Sequence, residues 1–186
     1  VYKSTDGGNN WSLFPTPVNM SFTNNIAFAD ANTGIIVGST PNMKRTTNGG
    51  LNWTTVDPGT TSDLYGAQFI NANTGFATGD IGVVSKTTNA GLNWVPINTG
   101  TSHSFECVYF LDESIGFAGG MNQKLFRTVN GGLNWSQVTS VTSSVKDILF
   151  VNANTGFTAN DFGMVFRTTN GGANWQGQQL GFFSHN

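Results

Sequence analysis

Five tryptophans divide the 186-residue chain into segments of nearly equal length, and this spacing constrains the fold more than any other feature. They stand 42, 41, 41 and 40 residues apart, at Trp11, Trp53, Trp94, Trp135 and Trp175. Each tryptophan ends a near-copy of one phrase, such as STDGGNNW or TTNGGLNW, and a second phrase of the type FINANTGFATG recurs in the same register. Because two independent phrases hold one period, the chain is a tandem repeat.

Each period carries the signals of four short β-strands. Short segments of β-branched and aromatic residues, such as 26–28 and 108–110, predict the first strand, and a cluster of turn formers such as Asn-Ala-Asn-Thr-Gly separates it from the second. A third strand leads into an Asn-Gly-Gly turn, and the fourth begins at the tryptophan. Four antiparallel strands in about 40 residues are the unit of a β-propeller blade. The predicted fold class is therefore all-β, a propeller of four full blades plus a half blade.

The repeat boundaries predict one propeller or propeller segment over residues 1–186. It divides into a half blade at 1–19, blades at 20–57, 58–98, 99–139 and 140–180, and a tail at 181–186. Two arrangements follow: a segment of a longer propeller, or four blades and a remnant that close alone or with a second copy. An open segment would expose apolar faces and unpaired strand edges, which predicts self-association.

Composition argues against several classes of function. Only 10% of the residues are charged and the formal net charge is −2, so the chain lacks the basic surface of a nucleic-acid binder. No apolar run approaches the roughly 18 residues that cross a bilayer, so we expect no membrane insertion. One cysteine excludes an internal disulfide, and two distant histidines argue against a histidine metal site. We expect no metal and no cofactor.

The phrase Ser/Thr-x-Asp/Asn-x-Gly-x-x-Trp resembles the Asp-box, or BNR repeat. Asp-boxes occur in sialidases, sortilin-type receptors, xyloglucan-cleaving glycosidases and photosystem II assembly factors of the Ycf48 type. Asp6 is the acid of the first copy, and asparagine replaces it at Asn48, Asn89, Asn130 and Asn170. We expect this side chain to accept hydrogen bonds from N–H groups about two residues on, the following glycine to take a positive φ, and the tryptophan to be buried between sheets. The resemblance thus implies a structural turn and no catalytic motif.

Over the whole period, the chain is most similar to Ycf48-like repeats, and its Asn- and Thr-rich copies look like those of large secreted bacterial proteins. This implies a non-enzymatic binding or scaffold module of a secreted or cell-surface bacterial protein, which contacts protein or glycan through its blade loops. One alternative is a Ycf48-like photosystem assembly factor in the thylakoid lumen. A second is a carbohydrate-active propeller related to glycoside hydrolases.

A basic residue precedes every box, and the common register places these residues at one level of successive blades. They are Lys3, Arg45, Lys86, Arg127 and Arg167. The Ycf48 resemblance implies a basic stripe that binds an acidic protein partner in a salt-sensitive way. The alternative is that each stem covers an aromatic surface or that each cation pairs with a nearby carbonyl or carboxylate.

The remaining candidate residues give little support for catalysis. A glycosidase needs two carboxylates that flank the scissile bond, and Asp80 and Asp161 occupy matching positions in alternate blades. No arginine triad or tyrosine nucleophile of the sialidase kind can be assigned, so we predict no catalytic residues and no enzyme activity. The Asn-Ala-Asn-Thr-Gly turns have too few acids for a calcium loop, and Cys107 is expected to pack as a small hydrophobe.

Overall fold

The computed structural model describes residues 2–13, 22–39, 43–122 and 124–181, and these form short strands joined by turns. A two-stranded sheet comes first, with β1 (Tyr2–Lys3) and β2 (Ser12–Leu13). Blade 1 contains β3 (Thr23–Phe28), β4 (Gly34–Gly38), β5 (Met43–Thr46) and β6 (Thr54–Val56). Blade 2 contains β7 (Leu64–Phe69), β8 (Gly75–Gly79), β9 (Val84–Thr87) and β10 (Val95–Ile97).

Blades 3 and 4 repeat this order. Blade 3 contains β11 (Phe105–Phe110), β12 (Gly116–Gly120), β13 (Lys124–Thr128) and β14 (Ser136–Gln137). Blade 4 contains β15 (Val145–Phe150), β16 (Gly156–Asn160), β17 (Met164–Thr168) and β18 (Gln176–Gln179). Short 3₁₀ turns at Asp80–Gly82 and Asp161–Gly163 join the second and third strands of blades 2 and 4.

Every blade is a sequential antiparallel sheet in which neighbours in the chain are neighbours in space. The first strands of successive blades contact one another, as do the second strand of one blade and the first strand of the next. The second strands of blades 1 to 3 are buried along their whole length because they lie between two neighbouring sheets. This architecture confirms the predicted all-β propeller fold of four full blades and a half blade.

Aromatic side chains fill the contacts between blades. Phe76 of blade 2 stacks on Phe110 of blade 3 with ring centroids 3.6 Å apart, and Phe117 lies 5.2 Å from Phe150 of blade 4. Phe76 and Phe117 are completely buried. Burying one such ring stabilises the fold by roughly 1.5–3 kcal/mol. In blades 2 and 3, the phenylalanine at the second position of the second strand therefore joins its blade to the next one.

Alternating strand directions give the propeller two distinct faces. We call the end that carries loops 57–63, 80–82, 98–104, 121–122, 138–144 and 161–163 the loop face. The turns between first and second strands, and the box turns between third and fourth strands, lie at the opposite end, which we call the turn face. The strands of blades 1 to 4 lie within the ranges expected for them, and the assignment of residues 1–186 to a single propeller or propeller segment stays a prediction. No helix in the described part of the chain is long and apolar enough to cross a membrane.

Candidate functional site

The box turns are closed by two side chains of the repeat. In blade 1, Asn48 Oδ1 accepts the N–H of Asn52 at 2.9 Å, four residues on rather than the two we expected. Thr46 Oγ1 accepts the N–H groups of Asn48 (3.3 Å) and Gly50 (3.0 Å) and donates to Asn48 Oδ1. The threonine hydroxyl therefore makes the short-range bonds that sequence reasoning assigned to the Asp/Asn position. The same pattern recurs around Asp6, Asn89, Asn130 and Asn170.

The tryptophan of the box is tied to the same turn. The indole N–H of Trp94 donates to the carbonyl of Gly91 at 3.1 Å, and Trp135 and Trp175 make the equivalent bond. Trp94 and Trp175 are buried as expected, Trp53 and Trp135 are half-buried, and Trp11, just before β2, is 62% exposed. The ring is thus at least half-buried in the four full blades and exposed in the two-stranded remnant.

Three of the basic residues join one sheet to the next box turn. Lys3 Nζ donates to the carbonyl of Gly49 at 2.9 Å, Arg45 Nε to that of Ala90 at 2.7 Å, and Lys86 Nζ to that of Gly131 at 3.3 Å. The cation of Lys86 also lies 5.2 Å from the centroid of the Phe76 ring. These contacts match the alternative stated for the basic residues, in which each cation pairs with a nearby carbonyl or covers an aromatic ring.

The other two basic residues, Arg127 and Arg167, have different surroundings. The guanidinium of Arg127 lies 5.9 Å from the centroid of Phe117, and its Nε is buried with no hydrogen-bond acceptor among the described residues. Arg167, in blade 4, is exposed. The role of the five residues in partner binding stays a prediction.

A polar cluster on the loop face was not foreseen from the sequence. Tyr65 Oη donates to Asp80 Oδ2 at 3.0 Å, and Ser104 Oγ donates to Asp80 Oδ1 at 2.7 Å. Burial, and then the hydrogen bond to Asp80, raise the pKa of Tyr65 to about 12. A phenol that ionises so reluctantly is poorly suited to act as a nucleophile.

The second half of the polar cluster is an ion-pair group between blades 3 and 4. Lys146 Nζ lies 2.8 Å from Glu106 Oε2 and 3.9 Å from Asp161 Oδ1. The hydrogen bond that Lys146 donates to the Glu106 carboxylate raises the pKa of Lys146. Asp80 and Asp161, the pair considered for glycoside hydrolysis, are therefore engaged separately, each with different partners.

Three of the residues that sequence reasoning missed share one place in the repeat. Tyr65, Glu106 and Lys146 are each the second residue of a first strand, where the pairing register shifts by a β-bulge. Blade 1 has Asn24 there, and its amide donates to the carbonyl of Leu64. The residue type changes from blade to blade, so no motif marks the position. The sequence signal that could have identified these positions is a polar residue that varies from blade to blade within a mainly apolar strand.

Large apolar side chains stand exposed beside the polar cluster. Ile81, Met121 and Phe162 occupy the loops between second and third strands and are 68%, 56% and 89% exposed. Ile81 and Phe162 have φ values of 56° and 58°, a left-handed conformation that costs roughly 1–2 kcal/mol outside glycine. Such backbone persists only where its surroundings fix it. Here backbone hydrogen bonds do so, among them Val83 N–H to the carbonyl of Asp80 at 3.1 Å.

Neither metal ligands nor a reactive thiol are apparent in the described ranges. Those residues contain no group of three or more His, Cys, Asp or Glu side chains that could hold a metal ion. Cys107 is buried, and burial raises the pKa of its thiol to about 12. A thiol of this kind is not an effective nucleophile.

Comparison with known proteins agrees with the repeat and the fold. The model of the family described as photosynthesis system II assembly factor YCF48 matches residues 1–102, more than half of the chain. The chain belongs to the YCF48 family. This assignment confirms the resemblance drawn from the box and its flanking phrases. No curated protein matches the chain.

Solved structures similar to this YCF48-family chain are also propellers. An ancestral GH74 enzyme superposes with a TM-score of 0.76 at 22% identity, over 97% of this chain and 28% of the enzyme. The Niastella koreensis GH74 enzyme gives 0.67 at 14% identity, over 83% of this chain and 30% of that one. YCF48 bound to D1 peptide gives 0.50 at 18% identity, over 95% and 73% of the two chains. At these identities the likeness shows the fold alone.

Proposed function

We propose that this chain is a non-enzymatic binding module of a secreted or cell-surface bacterial protein, and that it contacts a protein partner through its loop face. The observation that carries the proposal is the set of exposed apolar tips at Ile81, Met121 and Phe162. Apolar anchors ringed by polar groups are typical of protein interfaces. Because hydrogen-bonded backbone already fixes the turns that carry Ile81 and Phe162, little conformational entropy would be lost there on binding.

Two further observations support this proposal. YCF48 has been solved with a D1 peptide, which provides a family precedent for peptide binding. The one cysteine is buried, so an oxidising extracellular environment would not cross-link this region through it.

The alternatives differ in what they need from the same surface. The family match favours a photosystem assembly role. If the partner bound to the basic stripe, binding would depend on Arg127 and Arg167, because carbonyl groups already engage the cations of the other three basic residues. A glycoside hydrolase role would need Asp80 and Asp161 to act as a pair, although their hydrogen bonds and ion pairs are separate. The GH74 similarity covers less than a third of those enzymes.

The test is selection of displayed random peptides on the immobilised chain. Peptides that bind the chain are assayed against a variant with Ile81→Ser and Phe162→Ser, and against Leu133→Ser as the matched control. Leu133 is 70% exposed but belongs to a box turn on the turn face. We expect the loop-face variant to lose at least about tenfold in affinity, or about 1.4 kcal/mol, and the control to lose nothing. Peptides that bind all three proteins equally would contradict the proposal.

Two assays separate the alternatives. Binding of a D1 peptide that weakens steeply with salt and with Arg127→Ala or Arg167→Ala would favour the assembly role. Release of reducing sugar from xyloglucan that disappears in Asp161→Asn would make the chain an enzyme. We expect neither result.

A further inference from the structure

Arg127 differs from the equivalent residues of the two preceding blades. Arg45 and Lys86, at the same repeat position in blades 1 and 2, each donate a hydrogen bond to a box-turn carbonyl of the next blade. Arg127 makes no hydrogen bond and no ion pair within the described residues, although its Nε is buried. A buried N–H of a charged group normally has an acceptor, because leaving it without one is unfavourable. Arg127 is therefore a donor available to a ligand.

The strand register directs Arg127 toward blade 4. β13 sets Arg127 opposite Phe117 of β12 and opposite Ser136 of β14. Residues directly opposite each other in antiparallel strands extend from the same face of the sheet. Because Phe117 packs against Phe150 and Trp175, this face of blade 3 is the one that meets blade 4. The guanidinium lies 5.9 Å from the centroid of the Phe117 ring, a contact that leaves its in-plane N–H groups available for hydrogen bonds.

Arg127 lines an open cavity of about 370 Å³ between blades 3 and 4, which we call the rim cavity. It lies at the outer edge of the propeller, because β14 is the last strand of its sheet and the first strands of the blades contact one another at the centre. The Ser140 hydroxyl accepts the N–H of Trp175 at 3.2 Å, which fixes the two walls relative to each other. The volume is in the range of small-molecule sites. Polar side chains of both blades line the cavity with Arg127: Asn134, Ser136, Gln137, Ser140 and Asn174.

The polar lining is particular to blade 3. β10 has Val95 and Pro96 at the places where β14 has Ser136 and Gln137. Ser136 and Gln137 are exposed, and their side chains make no hydrogen bond to other residues in the described part of the chain. An amide offers both a donor and an acceptor, and a hydroxyl can act as either. These are the groups that neighbouring hydroxyls of a sugar ring need, because each sugar hydroxyl both donates and accepts.

We propose that the rim cavity binds an acidic saccharide, with the carboxylate of a uronic acid on Arg127 and its ring hydroxyls on the amides and hydroxyls of the walls. The guanidinium fork matches a carboxylate through two parallel hydrogen bonds, whereas a neutral sugar offers it no charge. A peptide fits less well, since β14 pairs through only two residues and offers a short edge for strand addition. The site uses none of the exposed tips at 81, 121 and 162 and does not depend on the proposed function.

The probes are the trisaccharides of galacturonate, glucuronate and mannuronate, each with its methyl ester as the neutral control. They are titrated into the ¹⁵N-labelled chain, and the Nε–H signal of Arg127 is followed by NMR after assignment by its absence from Arg127→Gln. At least one acid should shift this signal and bind at least about tenfold more tightly than its ester, because the ester cannot form the charged hydrogen bonds. Equal binding of acids and esters, or no shift with any acid at about 10 mM, would overturn the proposal.

Variants separate the cavity from general positive charge. Arg127→Gln should weaken binding of the acid at least about tenfold, and Arg167→Gln, the same change at the exposed arginine of blade 4, should weaken it less than about twofold. Equal losses in the two variants would overturn the proposal.

A second variant leaves the charge in place. Ser136→Val with Gln137→Pro gives blade 3 the residues that blade 2 already accommodates, and it should weaken binding while the melting temperature stays near that of the parent. Unchanged affinity would overturn the role of the polar walls.

Two competitors identify other occupants. Inorganic phosphate that shifts the Arg127 signal as strongly as the best trisaccharide would show a simple anion site and overturn the assignment to a saccharide. A hexaglutamate peptide that displaces the trisaccharide and binds more tightly would place a protein ligand in the rim cavity, and this outcome would overturn the assignment as well.

Discussion

The threonine that opens the box turn of each full blade should contribute strongly to stability, and Thr128 offers the clearest test. Its hydroxyl accepts the N–H groups of Gly132 at 3.0 Å and Asn130 at 3.3 Å, and it donates to Asn130 Oδ1 at 3.0 Å. The side chain is 1% exposed, so water cannot replace these bonds. Thr128→Val preserves the shape of the side chain and removes all three.

The magnitude follows from the group left without a partner. A buried N–H without an acceptor costs about 1–3 kcal/mol, and the Gly132 N–H is such a group. We expect Thr128→Val to lower the free energy of unfolding by about 2 kcal/mol. With a urea dependence of about 2 kcal/mol per molar, the unfolding midpoint should fall by about 1 M. Equilibrium urea unfolding followed by tryptophan fluorescence measures this shift.

Two variants identify the cause. Thr128→Ser keeps the hydroxyl, so it should retain most of the stability that Thr128→Val loses. Thr142→Val makes the same chemical change at an exposed site and should alter stability by less than about 0.5 kcal/mol. The reasoning would be refuted by a valine variant as stable as the parent, or by a serine variant as unstable as the valine variant.

Three further outcomes are expected. Ala90 has a φ of 58° where the other boxes have glycine, so Ala90→Gly should stabilise the chain by about 1 kcal/mol and raise its melting temperature by about 2–4 °C; a decrease would contradict the strain argument. Hydrogen bonds from Asn10 lower the pKa of Asp6 from 3.8 to about 2, so the contribution of this carboxylate is present above about pH 4 and is lost as pH falls through about 2. In an NMR titration the Asn10 amide should shift over that range while the Asn52 amide, bonded to the neutral Asn48, does not; equal shifts would count against the assignment. Cys107 should resist a thiol reagent at pH 8 until urea unfolds the chain, and rapid reaction of the folded chain would show that its burial is wrong.

The propeller could be predicted from the sequence because its determinants are local and repeated. Each blade needs four short strands, two turns and a box, and all of these lie within about 41 residues of chain. The position of Trp94 at the end of its box predicted its burial for the same reason, although the equivalent Trp53 and Trp135 are only half-buried. The hydrogen bonds inside the box were harder to predict from the sequence. Thr46 and Asn48 can both accept the N–H groups of the turn, and only the folded geometry decides which bond each side chain makes.

Only the tertiary structure decided the contacts between blades, because they join residues about 40 positions apart whose meeting depends on how the sheets stack. Lys86 reaches the carbonyl of Gly131, and Lys146 reaches Glu106, through the packing of neighbouring blades. Tyr65 meets Asp80 because a β-bulge turns it out of the strand register. The sequence by itself thus determined the blade and its repetition, and the stacking of blades determined the loop-face cluster and the interblade bonds.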